Sequence, residues 1–202
     1  MKLILPFALG GGALLVPALA SAHFLMVAPT PWLQQDQRGD PQKLAPCGGV
    51  SANPGVPTGV VTPVRGGDML HVKLQETVFH PGHYRLALAV YGRSELPADP
   101  PTKTRDTEKG PWSVSARIDK NPKRPILADG LFQHTTKQEG FFETDVKLPN
   151  IDCATCTLQV IEWMGEHGKG ADGDYSYHHC AVLKITANPD LPVDRAWQKR
   201  LP

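Results

Sequence analysis

Prolines and glycines interrupt this chain so often that long helices are excluded. Its 202 residues contain 20 prolines and 19 glycines, spread widely, and the apolar segments between them are short. Proline breaks the interior of a helix, and glycine weakens it. The short apolar segments are therefore predicted to be β-strands.

Seven segments are predicted as strands: 24–27, 69–74, 84–91, 113–118, 141–148, 157–163 and 180–186. Residues 158–163 and 182–185 are rich in β-branched or bulky side chains with partial alternation, which is typical of a sheet with one buried face. Seven strands are enough for an immunoglobulin/fibronectin-like β-sandwich, so the expected fold is all-β with long loops and two disulfides. Long loops are expected at 41–63 and 93–111, and a short helical tail at 190–200.

The first 22 residues have the pattern of a secretory signal peptide. Lys2 supplies the positive start, an apolar stretch follows, and Ala20-Ser21-Ala22 forms a small-residue cleavage site. The expected organisation is a signal peptide over 1–22 and a single β-sandwich domain over 23–202. The protein is expected to be secreted or periplasmic.

Charge is balanced in the expected mature chain. Removing the leader removes Lys2, which leaves 20 basic and 20 acidic residues. They are scattered, so no basic stripe indicates nucleic-acid binding, and no apolar run after the leader is long enough to cross a bilayer. We expect a monomer that binds neither nucleic acid nor, after signal cleavage, a membrane.

Four cysteines are present, Cys47, Cys153, Cys156 and Cys180. An even number in a secreted chain predicts disulfides, and three pairings are open. Cys153-x-x-Cys156 is also compatible with zinc binding or thioredoxin-type redox chemistry. Because no second such pair follows and no βαβ pattern surrounds it, two structural disulfides are the preferred prediction.

His23 becomes the first residue of the mature chain if cleavage follows Ala22. An N-terminal histidine offers its α-amine and a ring nitrogen to one metal ion. A second histidine would complete a planar set of three nitrogens, which suits the tetragonal geometry of Cu(II).

The segment His80-Pro-Gly-His83 is the second candidate. Proline fixes its own φ, and Gly82 permits the positive φ of a type II turn, so the turn would hold His80 at the rim of the sandwich. His83 competes with His80 as the ligand. Either side chain is equally compatible with a solvated turn histidine.

Tyr177 stands three residues before Cys180 in the last predicted strand. Side chains alternate along a strand, so the two should lie on opposite faces. A cysteine bonded within the core would leave Tyr177 facing outward, either capping a metal site or on a solvated surface.

The cleavage site before His23, the motif His80-Pro-Gly-His-Tyr-Arg and the motif Tyr177-x-x-Cys180 together resemble the lytic polysaccharide monooxygenases and the bacterial proteins similar to them. In that family, a histidine brace binds one copper ion. The resemblance implies that His23 and His80 are the copper ligands and Tyr177 the axial residue, and it assigns all three a catalytic role. It also implies the pairs Cys47–Cys180 and Cys153–Cys156.

The implied activity is copper-dependent oxidative cleavage of glycosidic bonds, at C1 or C4, with O₂ or H₂O₂ and an external electron donor. The implied substrate is a chitin- or cellulose-like polysaccharide. Candidates for a flat aromatic binding face are Trp32, Tyr84 and Trp112, although core packing is the favoured explanation for each one taken singly. Candidates for a polar residue beside the copper are Glu162, His167, Tyr175 and His179.

Two other interpretations stay open. A periplasmic copper-binding or copper-trafficking protein can also begin with histidine, although Met26, Met69 and Met164 are scattered rather than clustered as a Cu(I) carrier requires. The second is a non-catalytic carbohydrate-binding sandwich in which His23 is incidental. Hydrolysis is not indicated, because no pair of carboxylates is singled out.

Overall fold

The structure, a computed structural model, describes residues 23–201. The predicted signal peptide over 1–22 lies outside the described residues. No helix within residues 23–201 is long and apolar enough to span a bilayer.

Ten strands make up the fold of the described residues. They are β1 (His23–Ala28), β2 (Val61–Arg65), β3 (Met69–Val78), β4 (Gly82–Ala89), β5 (Thr102–Thr107), β6 (Gly110–Ala116), β7 (Ile126–His134), β8 (Phe142–Lys147), β9 (Cys153–Met164) and β10 (Ser176–Thr186). Two short 3₁₀ helices, Arg93–Glu95 and Arg195–Gln198, are the helical elements. The all-β prediction is confirmed.

The strands form two sheets and a separate hairpin. One sheet has the order β1-β3-β8, and the other has the order β2-β10-β9-β4-β7. Neighbouring strands are antiparallel except β2, which runs parallel to β10. Strands β5 and β6 pair with each other, and Trp112 of β6 forms an isolated bridge with Gly168.

Apolar side chains from both sheets form the core between them, as expected for a β-sandwich. Residues at its centre include Phe24 of β1, Val72 and Leu74 of β3, Leu86 of β4, Val160 of β9 and Leu183 of β10. The predicted sandwich is confirmed.

The outer face of the five-stranded sheet is buried too, contrary to the expectation of one exposed face. Arg85 and Trp163 face away from the core but are only 4% and 5% exposed. Arg85 donates to the Ala98 carbonyl (2.8 Å), and Trp163 Nε1 donates to Thr102 Oγ1 (2.9 Å). The segment 93–101 and the β5–β6 hairpin therefore form a third layer.

Three strands were not predicted. The edge strand β2 contains Pro63, β5 has no large apolar side chain, and β7 is irregular, with positive φ at Gly130 and Phe132. The prediction of one long loop over 93–111 is wrong, since it contains a 3₁₀ helix and β5. Of the helical tail expected at 190–200, only the 3₁₀ turn Arg195–Gln198 forms.

Both disulfides implied by the resemblance are present, Cys47–Cys180 and Cys153–Cys156. The first joins the segment before β2 to the outer face of β10. The second links two residues at the start of β9.

Candidate functional site

An open cleft of about 770 Å³ lies at one end of the sandwich, and His23, His80 and Tyr177 all line it. His23 is the first residue of β1, His80 lies between β3 and β4, and Tyr177 is the second residue of β10. The His23 and Tyr177 rings meet edge to face, with centroids 5.4 Å apart. The structure thus brings together the three residues predicted from separate parts of the sequence.

The His23 ring is oriented by a carboxylate. Its Nε2 lies 2.8 Å from Asp40 Oδ2, and its Nδ1 lies 3.4 Å from a guanidinium nitrogen of Arg38. A carboxylate accepts and a guanidinium only donates, so the neutral ring carries its proton on Nε2 and a lone pair on Nδ1. Burial alone would raise the pKa of Asp40, but the hydrogen bond from His23 and nearby positive charges hold that pKa below its usual value.

Asp40 reaches His23 because its loop packs tightly against β1. Gly39 has φ +99°, and a Cβ there would lie 2.0 Å from the Phe24 carbonyl oxygen. The buried Gln42 accepts a hydrogen bond from the Phe24 amide (3.2 Å). Sequence reasoning missed Asp40, because no local motif connects this loop with the first strand.

His80 is positioned by a buried ion pair. Its backbone amide donates to Glu76 Oε1 (3.3 Å), which also lies 3.0 Å from His134 Nε2. Burial alone lowers the pKa of His134, but its hydrogen bonds to Glu76 and to the Phe132 carbonyl outweigh burial and raise the pKa. The segment that carries His80 is therefore tied to β3 and β7.

The motif after His80 behaves differently from the prediction. Gly82 has no positive φ, so the expected type II turn is wrong. It begins β4, and a Cβ there would lie 2.2 Å from the Trp163 carbonyl oxygen. The next residue, His83, faces the third layer and stacks on Trp163, with ring centroids 5.2 Å apart. His80 lines the cleft and His83 does not.

Tyr177 and Cys180 lie on opposite faces of β10, as predicted, but Tyr177 does not face outward. It is 2% exposed and packs in the core between the sheets, whereas Cys180 bonds Cys47 on the outer side. Glu162 is opposite Tyr177 on β9, and Tyr84 is opposite Glu162 on β4. Burial, together with the charge of Glu76, raises the pKa of Glu162 well above its usual range.

His167 is the candidate polar residue that lies in the cleft. Its ring centroid is 5.2 Å from that of His80 and 6.0 Å from that of Tyr177. Its backbone amide donates to Ser113 Oγ (3.1 Å). Burial, with a smaller effect of His80, lowers the pKa of His167 to about 4, so the imidazole is neutral at pH 7.

The other candidates lie outside the cleft. Glu162 is in the core beside Tyr177, Tyr175 lines a neighbouring cavity, and the His179 ring packs on Phe24, with centroids 4.7 Å apart. Of the three aromatic candidates, only Trp112 lines the cleft. Tyr84 is fully buried, and Trp32 lies beneath Arg93, whose guanidinium carbon is 3.7 Å from the ring centroid.

Positive charge predominates at the edge of the cleft. The charged residues that line it are Arg38, Asp40, Lys43, Lys109, Glu166 and Lys169. Asp40 is paired with His23, Glu166 with Arg105, and Lys169 with Asp174. Within residues 23–201, no carboxylate lies within 4.0 Å of the charged groups of Arg38, Lys43 and Lys109.

The donors at the cleft fit an N-terminal histidine site. A metal-bound histidine commonly donates its second ring N–H to a carboxylate, and Asp40 is placed to accept it from His23. The donor set would be two rings and one α-amine. In the described part of the chain, no cluster of three or more His, Cys, Asp or Glu side chains is arranged to hold a metal ion by itself.

Comparison with known proteins assigns no family. No family model matches the chain, and no curated protein matches it either.

Proposed function

We propose that the mature protein begins at His23, binds one copper ion, and acts outside the cytoplasm as a copper-dependent polysaccharide monooxygenase. The ligands would be the α-amine and Nδ1 of His23 and the ring of His80. The observation that carries this proposal is the meeting of His23, His80 and Tyr177 in one open cleft, with Asp40 bonded to His23 Nε2.

Each side chain of the cleft has a role in this proposal. Asp40 accepts the Nε2 proton of His23 and so leaves the lone pair on Nδ1, where copper would take the place of the Arg38 contact at 3.4 Å. The bond from the His80 amide to Glu76 fixes the second ligand. Tyr177 closes the core side of the cleft, and the neutral His167 imidazole can hold or pass a proton beside His80.

Copper, when bound, would supply the one-electron redox chemistry that lets O₂ or H₂O₂ oxidise a C–H bond next to a glycosidic oxygen. The protein contributes the geometry of the site and access for the substrate. The cleft opens to solvent, so a polymer can approach its edge without threading through the fold, whereas His23 and His80 themselves are only 2% and 6% exposed.

The positions of the methionines do not favour a copper-trafficking function. Met26 and Met164 are buried in the core, and Met69 is exposed on β3. None of the three lines the cleft, where a thioether would favour Cu(I).

The test is a Cu(II) titration followed by electron paramagnetic resonance. It compares the protein that starts at His23 with the same protein carrying one additional N-terminal alanine, and with the His80→Ala variant. His71→Ala is the matched control, because His71 is an exposed histidine on β3 that contacts Asp145 and Glu143.

We expect the unextended protein and the control to bind one Cu(II) each with a tetragonal spectrum, and the other two forms to bind weakly. Equal binding by the extended protein would overturn the histidine brace. The copper-loaded protein is then incubated with polysaccharides and a reductant, and oxidised oligosaccharides are sought by mass spectrometry. Tight copper binding without oxidised products from either charged or neutral polysaccharides would overturn the monooxygenase activity but leave the metal site.

A further inference from the structure

We propose that the cleft binds a polysaccharide that carries negative charges, as carboxylate or sulfate groups, rather than a neutral polymer of the chitin or cellulose type. The oxidative use of this ligand rests on the proposed function, but its binding does not require copper. The inference rests on Arg38, Lys43 and Lys109, which line the cleft with no carboxylate in contact with their charged groups in the described chain.

These cations come from two separate segments that line the cleft. Arg38 and Lys43 belong to the loop that carries Asp40, and Lys109 belongs to the turn between β5 and β6. A polymer lying in the cleft would therefore meet positive charge from both segments. Of the two carboxylates in the cleft, Glu166 is bonded to Arg105. Asp40 is bonded to His23 and attracts Lys43 and Arg38, so it offsets part of their charge but is outnumbered by the cations.

The excess of positive charge at the cleft contrasts with the balanced charge of the chain as a whole. Basic and acidic residues are equal in number after residue 22. A balanced protein with unpaired cations at one opening directs anionic ligands to that opening, and complementary charge gives selectivity and fast association. The Debye length is about 8 Å at physiological salt, so the effect is confined to a ligand near the cleft.

The positions of the aromatic residues also favour a charged ligand over a neutral one. A flat aromatic surface was expected for a neutral polymer, but Tyr84 is in the core and Trp32 is covered by Arg93. Trp112 remains, and it shares the cleft with Lys109. The cleft thus offers one indole among several cations.

A second cavity of about 420 Å³ adjoins the cleft, and Lys169 lines both. Asp99 and Asp174 line this cavity, and Asp174 lies 2.9 Å from Lys169 Nζ. Asp174 therefore neutralises a fourth cation of the cleft. Replacing Asp174 with Asn would release that charge, so it provides a variant that should gain binding.

The test measures binding of the metal-free protein that starts at His23, by affinity electrophoresis in gels that contain polysaccharide. Polygalacturonate is compared with its carboxyl-reduced neutral form, and dextran sulfate with dextran. The loss variant combines Lys43→Gln and Lys109→Gln. Its matched control combines Lys120→Gln and Lys147→Gln, which remove two lysines that do not line the cleft.

We expect retardation by at least one anionic polymer, none by its neutral partner, and weakening by added salt. The double cleft variant should bind about tenfold more weakly, Asp174→Asn should bind a few-fold more tightly, and the control should bind as the wild type does. The anionic polymer that retards the protein identifies the carboxylate or sulfate group.

Three results would overturn the proposal: retardation by neutral polymers to the same extent, no retardation by either anionic polymer, or an equal loss in the control variant. Copper binding is measured separately. An added N-terminal residue should abolish tight copper binding but leave retardation unchanged, so failure of the metal site and failure of glycan binding are distinguished.

Discussion

Asp40 is the residue on which the geometry of His23 depends. Its Oδ2 lies 2.8 Å from His23 Nε2, at a site where Asp40 is partly exposed and His23 is buried. The carboxylate both fixes the ring orientation and increases the electron density available at Nδ1. Its contribution is therefore electrostatic as well as steric.

Asp40→Asn should weaken Cu(II) binding by about 10- to 100-fold, because the amide can still accept a hydrogen bond but has lost the negative charge. Competition titration against a chelator of known affinity measures the change. Glu139→Gln is the control, since Glu139 is exposed and pairs only with Lys137. Unchanged affinity in Asp40→Asn would show that the contact with His23 does not tune the metal site.

At the level of single residues, the sequence singled out those that stand in a short, recognisable motif. The predicted cleavage site singled out His23, whereas the choice of His80 over His83 and the role of Tyr177 were implied by the family resemblance. Asp40 was not a candidate and His167 was one of four, because each reaches the cleft through the fold of a loop. The position of Asp40 depends on the close approach of Gly39 to Phe24, which no spacing rule predicts.

The loop that carries Asp40 is fastened to β10 by the Cys47–Cys180 disulfide. The two cysteines are 133 residues apart, whereas Cys153 and Cys156 are 3 apart. In the chain-entropy model, a disulfide that closes a longer loop stabilises the fold more. The two bonds thus provide an internal comparison.

Replacing Cys47 and Cys180 with alanine should lower the free energy of unfolding by about 2–5 kcal/mol, measured by urea denaturation. It should also weaken copper binding, because the loop with Asp40 and the strand with Tyr177 lose their covalent link and keep only hydrogen bonds such as that from the His178 amide to the Gln42 carbonyl (2.7 Å). The same change at Cys153 and Cys156 should cost less and leave copper affinity intact, since that bond lies at the end of β9 away from the cleft. Equal effects on copper affinity would contradict the linkage.

Seven strands were predicted, including the edge strands β1 and β8 and the outer-layer strand β6, whereas the three that were missed contain a proline (β2), lack large apolar side chains (β5) or are irregular (β7). The alternating residues of β10 bury Leu183 and Ile185 against the core, so the pattern was visible. Strand β5, Thr102–Thr107, is polar and forms because it pairs with β6 above the sheet. The residues of the sheet that it contacts, such as Trp163, are far away in sequence, and β5 itself contains no large apolar side chain.

The molecule has three layers, and a histidine lies beneath the outermost one. His83 is 4% exposed and stacks on Trp163 under the third layer. Burial, with smaller effects of Arg85 and His134, lowers the pKa of His83 despite the opposing charge of Asp129. The unfolded chain therefore binds the proton more readily, and stability falls as the pH decreases below about 6.5.

His83→Phe keeps an aromatic ring against Trp163 and removes the titrating group. Denaturation at pH 7 and pH 5 should show a smaller loss of stability on acidification than in the wild type. The difference in slope should be at most about 1.4 kcal/mol per pH unit, the value for one proton. An unchanged slope would mean that acid sensitivity arises elsewhere.

Strand β10 is the last strand of the described chain, but it lies inside the five-stranded sheet, between β2 and β9. Val182 pairs with Val61, so the sheet is completed by contacts between distant parts of the chain. During synthesis, a chain that ends before residue 176 would present β2 and β9 as unpaired edges, leave Cys47 without its partner, and lack Tyr177. Folding of the five-stranded sheet, formation of the Cys47–Cys180 disulfide and assembly of the cleft can thus be completed only after β10 has been synthesised.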